Sequence, residues 1–507
     1  MRRLKLCVLI YAMCAGSAAF DIQEQEWPTQ SYITSPLHAP LLNITKQGKT
    51  EPGYIFFTPT PVKRGQDKHG TATIVDNDGE LIWQSSSHNT TGLRPQRLRG
   101  EDVLTYWEGE RPANGAWIGS VVILNQSYDE MHRVTLGAEE GYRTGPSQSH
   151  VHSFIDMHES VITEQGSLLV TAANSTMFDL RSVGGAEDGR ILDYLVYEID
   201  IATNNVVYRW KASDHLPMSA SYAQGPKGLE GHGSWDYVHL NSVAPFSKGI
   251  VVSSRMYHSI IAIDRMGNVL WKLEGQTGGD FTLGPGTQFR WQHDARIIDE
   301  TGDTITLSLF NNNNIESDHG LSTSTCLVLH VDIQNRTVSL ARRVFDAADR
   351  VSSMSQGNCQ TLSNGHLLIG YGATPKFKEY DEHGAQIMAA QFGVSKDDHA
   401  AIDSYRVFRS TWTGRPRTLP SVAACLLDNR VIVYVSWNGA TDVTQWEVSL
   451  GWYGRDLRHV HTAPKNGFET RIDLGQRDPG MSQVRVTAVG GPGDGVQSEI
   501  VSVEDCQ

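Results

Sequence analysis

Apolar residues along the chain fall into short runs, and the runs come in a repeated order. The recurring unit is an apolar strand, an Asp, a tight turn and a further strand. It reads TATIVDNDGELIW around Asp76, LVYEIDIATNNVVYRW around Asp200 and SIIAIDRMGNVLW around Asp264. LVLHVDIQNRTVSL around Asp332 and FKEYDEHGAQI around Asp381 repeat it, and SVVILNQSYDEMHRV carries Asn125 in place of the Asp. An Asp or Asn side chain caps such a turn and a Gly supplies its positive φ, so each copy predicts a hairpin. The turn aspartates are therefore read as structural rather than catalytic.

Each hairpin is preceded by another apolar strand: GYIFFTP, EDVLTYW, GSLLVTA, GIVVSSR, DTITLSLF and GHLLIGYG. Most copies carry one strand more, such as SFIDMHESVI, YVHLNSVAPF or FRWQHDARII. Four antiparallel strands in six copies, spaced by 49 to 75 residues, predict an all-β six-bladed β-propeller. A stack of separate sandwiches would bury less and leave more open edges. After TGRPRTLPS the pattern shifts to short strands at closer spacing, which predicts a small C-terminal immunoglobulin- or fibronectin-like β-sandwich. The expected division is residues 1–19, 20–414 for the propeller and 415–507 for the sandwich.

The first 19 residues read as a signal peptide. Arg2, Arg3 and Lys5 lead into the apolar stretch from Leu6 to Gly16, and Ser17-Ala18-Ala19 offers a cleavage site. That stretch is too short to span a bilayer, and no later one is longer, so the expectation is a secreted, extracellular protein with no membrane span. Cys326, Cys359, Cys425 and Cys506 remain after cleavage. Four cysteines allow three pairings, and Cys326–Cys359 with Cys425–Cys506 keeps each pair inside one expected domain. Sequons at Asn43, Asn89, Asn125, Asn174 and Asn335 fit a glycoprotein.

Composition narrows the function. The 507 residues are 39% hydrophobic and 20% charged, which fits a folded chain with a large core. A net charge of −14 argues against a nucleic-acid partner, which calls for a basic surface.

Three histidines share one register. His158, His239 and His293 fall in the first strands of the third, fourth and fifth copies, eight or ten residues before the next strand begins. Matching positions in neighbouring blades converge near one end of the axis. Because first and second strands are antiparallel, Arg255 is expected beside His239 and Asn311 beside His293. Three imidazoles and a guanidinium form an anion site with a nucleophile or proton carrier at hand. Single histidines in strands are ordinarily packed or solvated, and three could also hold a metal. The repeated position weighs against the first reading and Arg255 against the second. His150 and His152 in SHVH read as a loop pair. Tyr257 and Trp291 wall the site or pack the core. GPGTQ at 284–288 is too short for a phosphate cradle.

DMHESVITEQGSLLVT, WDYVHLNSVAPFSKGIVVSSR, WQHDARI, GNCQTLSNGHLLIGYG, SYRVFRSTWTG and VYVSWNGAT resemble the arylsulfotransferase family, in its secreted eukaryotic (fungal-type) branch. The resemblance runs from LNITKQGKTEPGYIFFTP onward. It implies a six-bladed propeller that moves a sulfuryl group from an aryl sulfate to a phenol, without a nucleotide donor or any cofactor. It further implies that His293 is the transiently sulfated nucleophile. His239 and Arg255 would stabilise the sulfuryl oxygens and leaving group, with His158 the remaining channel histidine. The N-terminal sandwich of bacterial members is missing and a C-terminal module is present. A non-catalytic binding propeller and a metal-assisted hydrolase are the competing functions.

Overall fold

The computed structural model describes residues 27–61, 70–110, 116–137, 153–226, 233–313, 323–396, 399–400, 402–476, 478 and 480–506. The expected signal peptide, His150 and His152 lie outside the described residues. Within them the chain is all-β, with only short turns of 3-10 helix.

Six sheets form the six blades of a propeller. In chain order, blades 2 to 6 open with Thr90–Leu98, Ser160–Ile162, Leu240–Phe246, His293–Thr301 and Asn358–Thr361. Blade 1 is composite. Its first strand, Val407–Ser410, comes from beyond blade 6 and pairs antiparallel with Tyr54–Phe57, placing Tyr54 opposite Ser410. Asn43–Lys46 adds a fifth strand to the outer edge of blade 6. Both ends of the repeat region are thus stitched into its neighbours, which closes the ring.

The unbroken apolar runs have a physical cause. Successive side chains of a strand point to opposite faces, and in a propeller both faces meet another blade. Phe56 and Ile74 of blade 1 pack against Leu104 and Val122 of blade 2, while Val103 and Val121 turn toward Leu168 and Tyr197 of blade 3. Leu169 and Val196 meet Val252 and Ile261 of blade 4, and Val251 and Ile260 meet Leu307 and Leu329 of blade 5. Phe310 and Cys326 meet Ile369 and Tyr380 of blade 6, and Leu368 and Phe377 meet Ile55 and Phe57 of blade 1. Six interlocked cores follow from consecutive residues serving different neighbours. Each fully buried Leu, Ile or Phe contributes about 1.5–3 kcal/mol.

The turn aspartates cap their hairpins. Asp76 Oδ1 accepts the N–H groups of Asp78 and Glu80 at 2.8 and 3.0 Å, and Asp264 and Asp381 repeat the arrangement. Asn125 does the same for Ser127 and Asp129 at 2.8 and 3.0 Å. Gly79, Gly267 and Gly384 take the positive φ of these turns.

Seven strands between Ser421 and Asp505 form one hydrogen-bonded succession with a core of their own around Trp446, Val433 and Val486. This part docks on blades 1 and 2. Tyr128 donates to the Gly439 carbonyl at 2.8 Å, and Gln84 and Asn438 exchange two hydrogen bonds of 3.0 Å. The expected disulfides are both present. Cys326–Cys359 joins blades 5 and 6, and Cys425–Cys506 ties the chain end to Ser421–Leu427.

Candidate active site

The three histidines gather where the inner strands of blades 3, 4 and 5 begin. His158 and His239 stand just before their strands rather than within them, and His293 opens its own. The His158 and His239 rings are 4.8 Å apart, centroid to centroid. Tyr405, just ahead of the closing strand of blade 1, stands edge-on to His158 at 5.6 Å and to His293 at 6.4 Å. Backbone kinks accompany the cluster: His239, Trp291 and Asp294 have φ of 50°, 56° and 54°. Left-handed conformations at such residues store strain and concentrate at functional sites.

Each imidazole has its Nδ1 held. Asp156 Oδ2 accepts from His158 at 2.5 Å, and Asp236 Oδ2 from His239 at 2.6 Å. A carboxylate behind an imidazole fixes its tautomer and orientation. His293 instead meets the neutral amide of Asn312, whose Oδ1 is 2.8 Å from Nδ1. The Asn312 Nδ2 donates to the carbonyls of Ser353 and Gln356, which fixes the orientation of the amide. Oδ1 must therefore accept, Nδ1 of His293 must carry the proton, and Nε2 must hold the lone pair. That lone pair accepts the backbone N–H of Gln356 at 3.2 Å.

Charge follows from these partners. Burial and the nearby Arg255 hold His293 well below the ordinary histidine range, against the Asn312 hydrogen bond, so the ring is neutral. Burial also lowers His239, partly offset by Asp236. Arg255 donates its backbone N–H to the His239 carbonyl at 3.0 Å. Its guanidinium lies 5.0 Å over the Trp291 ring and donates to the Met354 carbonyl at 3.3 Å.

Beside the site lies a buried ionic cluster. Glu159 meets Arg296 at 2.5 Å, Arg406 at 3.0 Å and Arg94 at 3.6 Å. Asp294 meets Arg296 at 2.6 Å and Arg406 at 3.3 Å, and accepts the Cys359 N–H at 3.3 Å. Arg406 also donates to the Asn241 carbonyl at 2.8 Å. All six blades thus meet in one network of three guanidiniums and two carboxylates. Burial opposes ionisation of Glu159, but the three arginines carry its pKa down to about 2.

The expected residues divide clearly. His158, His239, His293 and Arg255 come together. Asn311 does not partner His293; it holds the Arg290 N–H at 3.0 Å, and the next residue, Asn312, takes the expected place. A bulge at His293 in the pairing of blade 5's first two strands accounts for the one-residue offset. Tyr257 belongs to the core between blades 3 and 4, its hydroxyl on the Pro217 carbonyl, whereas Trp291 sits beneath Arg255. Asp156, Asp236, Asn312 and Tyr405 were not singled out from the sequence. An Asp two or three residues ahead of a histidine is the signal that was there for the first two.

Among the described residues, no group of three or more His, Cys, Asp or Glu is disposed to hold a metal ion.

A propeller whose inner-strand ends bring together three imidazoles and a guanidinium defines the class of protein. The family model for arylsulfotransferase (ASST) matches residues 94–393, and the chain belongs to the arylsulfotransferase family. No curated protein matches by sequence. Among solved structures, Saccharomyces cerevisiae Sqt1 is 10% identical over 87% of this chain and 92% of that one, with a TM-score of 0.29. A eukaryotic initiation factor is 10% identical over 90% and 97%, at a TM-score of 0.20. A glycoside hydrolase family 32 protein from Bifidobacterium adolescentis is 8% identical over 92% and 96%, at 0.19. TM-scores this low carry no weight for fold or function.

Proposed function

We propose that the protein transfers a sulfuryl group from an aryl sulfate to a phenol through a sulfated His293, without a nucleotide donor. The observation that supports this most is the state of His293. Asn312 fixes its tautomer with the lone pair on Nε2, and burial keeps it neutral. A neutral imidazole nitrogen beside a guanidinium is a competent nucleophile toward an anionic ester.

In the first half-reaction Nε2 attacks sulfur, the S–N bond forms and the S–O ester bond breaks. The electron pair leaves on the phenolate oxygen, which departs as phenolate or takes a proton from His239. In the second, the acceptor phenol gives its proton to His239, its oxygen attacks sulfur and the S–N bond breaks. By analogy with phosphoryl transfer, positioning and charge stabilisation carry most of the rate. Arg255 supplies N–H donors to the sulfuryl oxygens. Asp236 orients His239 and Asp156 orients His158, the remaining histidine of the site.

The deciding experiment is incubation with an aryl sulfate and no acceptor, followed by mass analysis of the peptide bearing His293. One added SO3, lost when a phenol is supplied, is the expected result. Turnover that vanishes with a chelator and returns with zinc would favour a metal-assisted hydrolase. Absence of any transfer over a broad aryl sulfate panel would favour a binding propeller.

The same reading covers the chain as a whole. Residues 1–19 are a signal peptide, 20–414 the propeller domain and 415–507 a small β-sandwich of immunoglobulin or fibronectin type. The protein is a secreted glycoprotein of the fungal-type branch. Two disulfides support the oxidising compartment, and no helix among the described residues is long and apolar enough to cross a membrane.

A further inference from the structure

The three imidazoles and Arg255 each have a named polar partner. His158 is held by Asp156, His239 by Asp236, His293 by Asn312 and Gln356, and Arg255 by the Met354 carbonyl. The hydroxyl of Tyr405 is also buried and has no hydrogen-bond partner among the described residues. Its ring stands edge-on to both His158 and His293, and the Arg406 guanidinium lies 5.1 Å over it. A phenylalanine would fill the same space without burying an unsatisfied donor, so packing alone does not account for a tyrosine here. The Arg406 guanidinium is itself held by Glu159 and Asp294 of the neighbouring network.

We propose that the Tyr405 hydroxyl is a further catalytic group of this site, a donor that hydrogen-bonds a sulfuryl oxygen of the bound aryl sulfate and of sulfated His293. The inference rests on the reading of the site as a sulfuryl transferase. Burial pushes the Tyr405 hydroxyl above the usual phenol range, so it keeps its proton through both half-reactions. A group that holds its proton this firmly does not protonate a leaving phenolate. It suits an oxygen whose negative charge persists throughout, and that describes the sulfuryl oxygens.

Tyr405→Phe separates this role from a structural one, because the two predict opposite effects on stability. With the unsatisfied hydroxyl gone, the variant melts at the wild-type temperature or above it. Both half-reactions slow by roughly a hundredfold, as for other oxyanion donors. The dependence of rate on leaving-group pKa stays as in the wild type, and inorganic sulfate binds more weakly by calorimetry. Wild-type rates and wild-type sulfate affinity in the variant would overturn the proposal. So would a loss of rate that follows a fall in melting temperature, which marks a hydroxyl needed for folding. If the wild type transfers no sulfuryl group yet binds inorganic sulfate more tightly than the variant, the transferase reading fails and the donor role stands as anion binding. If the wild type neither transfers nor binds sulfate, both fail.

Discussion

The backbone N–H of Gln356 donates to Nε2 of His293 over 3.2 Å, occupying the nitrogen that holds the lone pair. Two residues earlier the Met354 carbonyl accepts from Arg255 at 3.3 Å. One short turn between blades 5 and 6 therefore engages both groups that a sulfate would use. For Nε2 to attack sulfur, that N–H has to yield. Saturating inorganic sulfate should speed hydrogen exchange at the Gln356 amide while leaving the amides of strand Leu367–Gly370 unchanged. Sulfate binding with no change at Gln356 would mean that the anion sits elsewhere.

Asn312 sets the acid limit of the proposed activity. A neutral amide beside Nδ1 does little to favour the imidazolium, and His293 lies well below the ordinary histidine range. The nucleophile should remain competent at pH values below the ordinary histidine range. Asn312→Asp places a carboxylate at the same distance and raises the His293 pKa. A raised pKa protonates Nε2 at higher pH, so the acid limb of the pH profile of kcat/KM should move upward. An unmoved limb would show that His293 does not control it.

Arg255 and His239 should separate by leaving group. Arg255→Ala removes charge-assisted donors to oxygens that are present in every substrate, and both half-reactions should fall by about a hundredfold or more. His239→Ala should cost little with phenols of low pKa, which depart as phenolates, and most with phenols of high pKa. A plot of rate against leaving-group pKa for both variants checks this. Equal slopes would remove His239 from the proton transfer.

The repeated hairpins were legible because their signals are local. Asp76 and Gly79 lie within one turn, and so do Asp264 and Gly267. The histidine cluster was legible because a repeat carries equal positions to equal places. Ring closure was not, since Tyr54–Phe57 finds its partner in Val407–Ser410 at the far end of the repeat region, and nothing in either segment specifies the other. The same distance hid Tyr405 and Arg406, which precede that closing strand and reach the site only once the ring is shut. Asn312 was missed by one residue because strand alternation does not survive the bulge at His293.

Cys326–Cys359 bridges the third strand of blade 5 and the first of blade 6, so it guards an interface between blades. A cross-link closing a segment of this length restricts the unfolded chain, a stabilisation of about 2–4 kcal/mol. The pair Cys326→Ala with Cys359→Ala should lower the denaturation midpoint by a corresponding amount. In the folded wild type, alkylation without reductant should label none of Cys326, Cys359, Cys425 or Cys506. A labelled cysteine would contradict the pairing.

The buried network around Glu159 should govern acid stability. Its carboxylate is opposed by burial but carried to about pH 2 by Arg296, Arg406 and Arg94, against an ordinary value near 4.5. A depressed carboxylate contributes its full stabilisation above the unfolded pKa and loses it as pH falls through the folded one. The Glu159 contribution is thus complete above about pH 4.5 and fades toward pH 2. Glu159→Gln leaves three buried guanidiniums with Asp294 as the remaining carboxylate, and breaking such a pairing costs about 3–5 kcal/mol. The melting temperature of the variant should lie well below that of the wild type at neutral pH, and the gap should narrow as both are titrated from pH 5 toward pH 2. A gap constant across that range would show that the loss comes from packing, because a packing defect does not titrate.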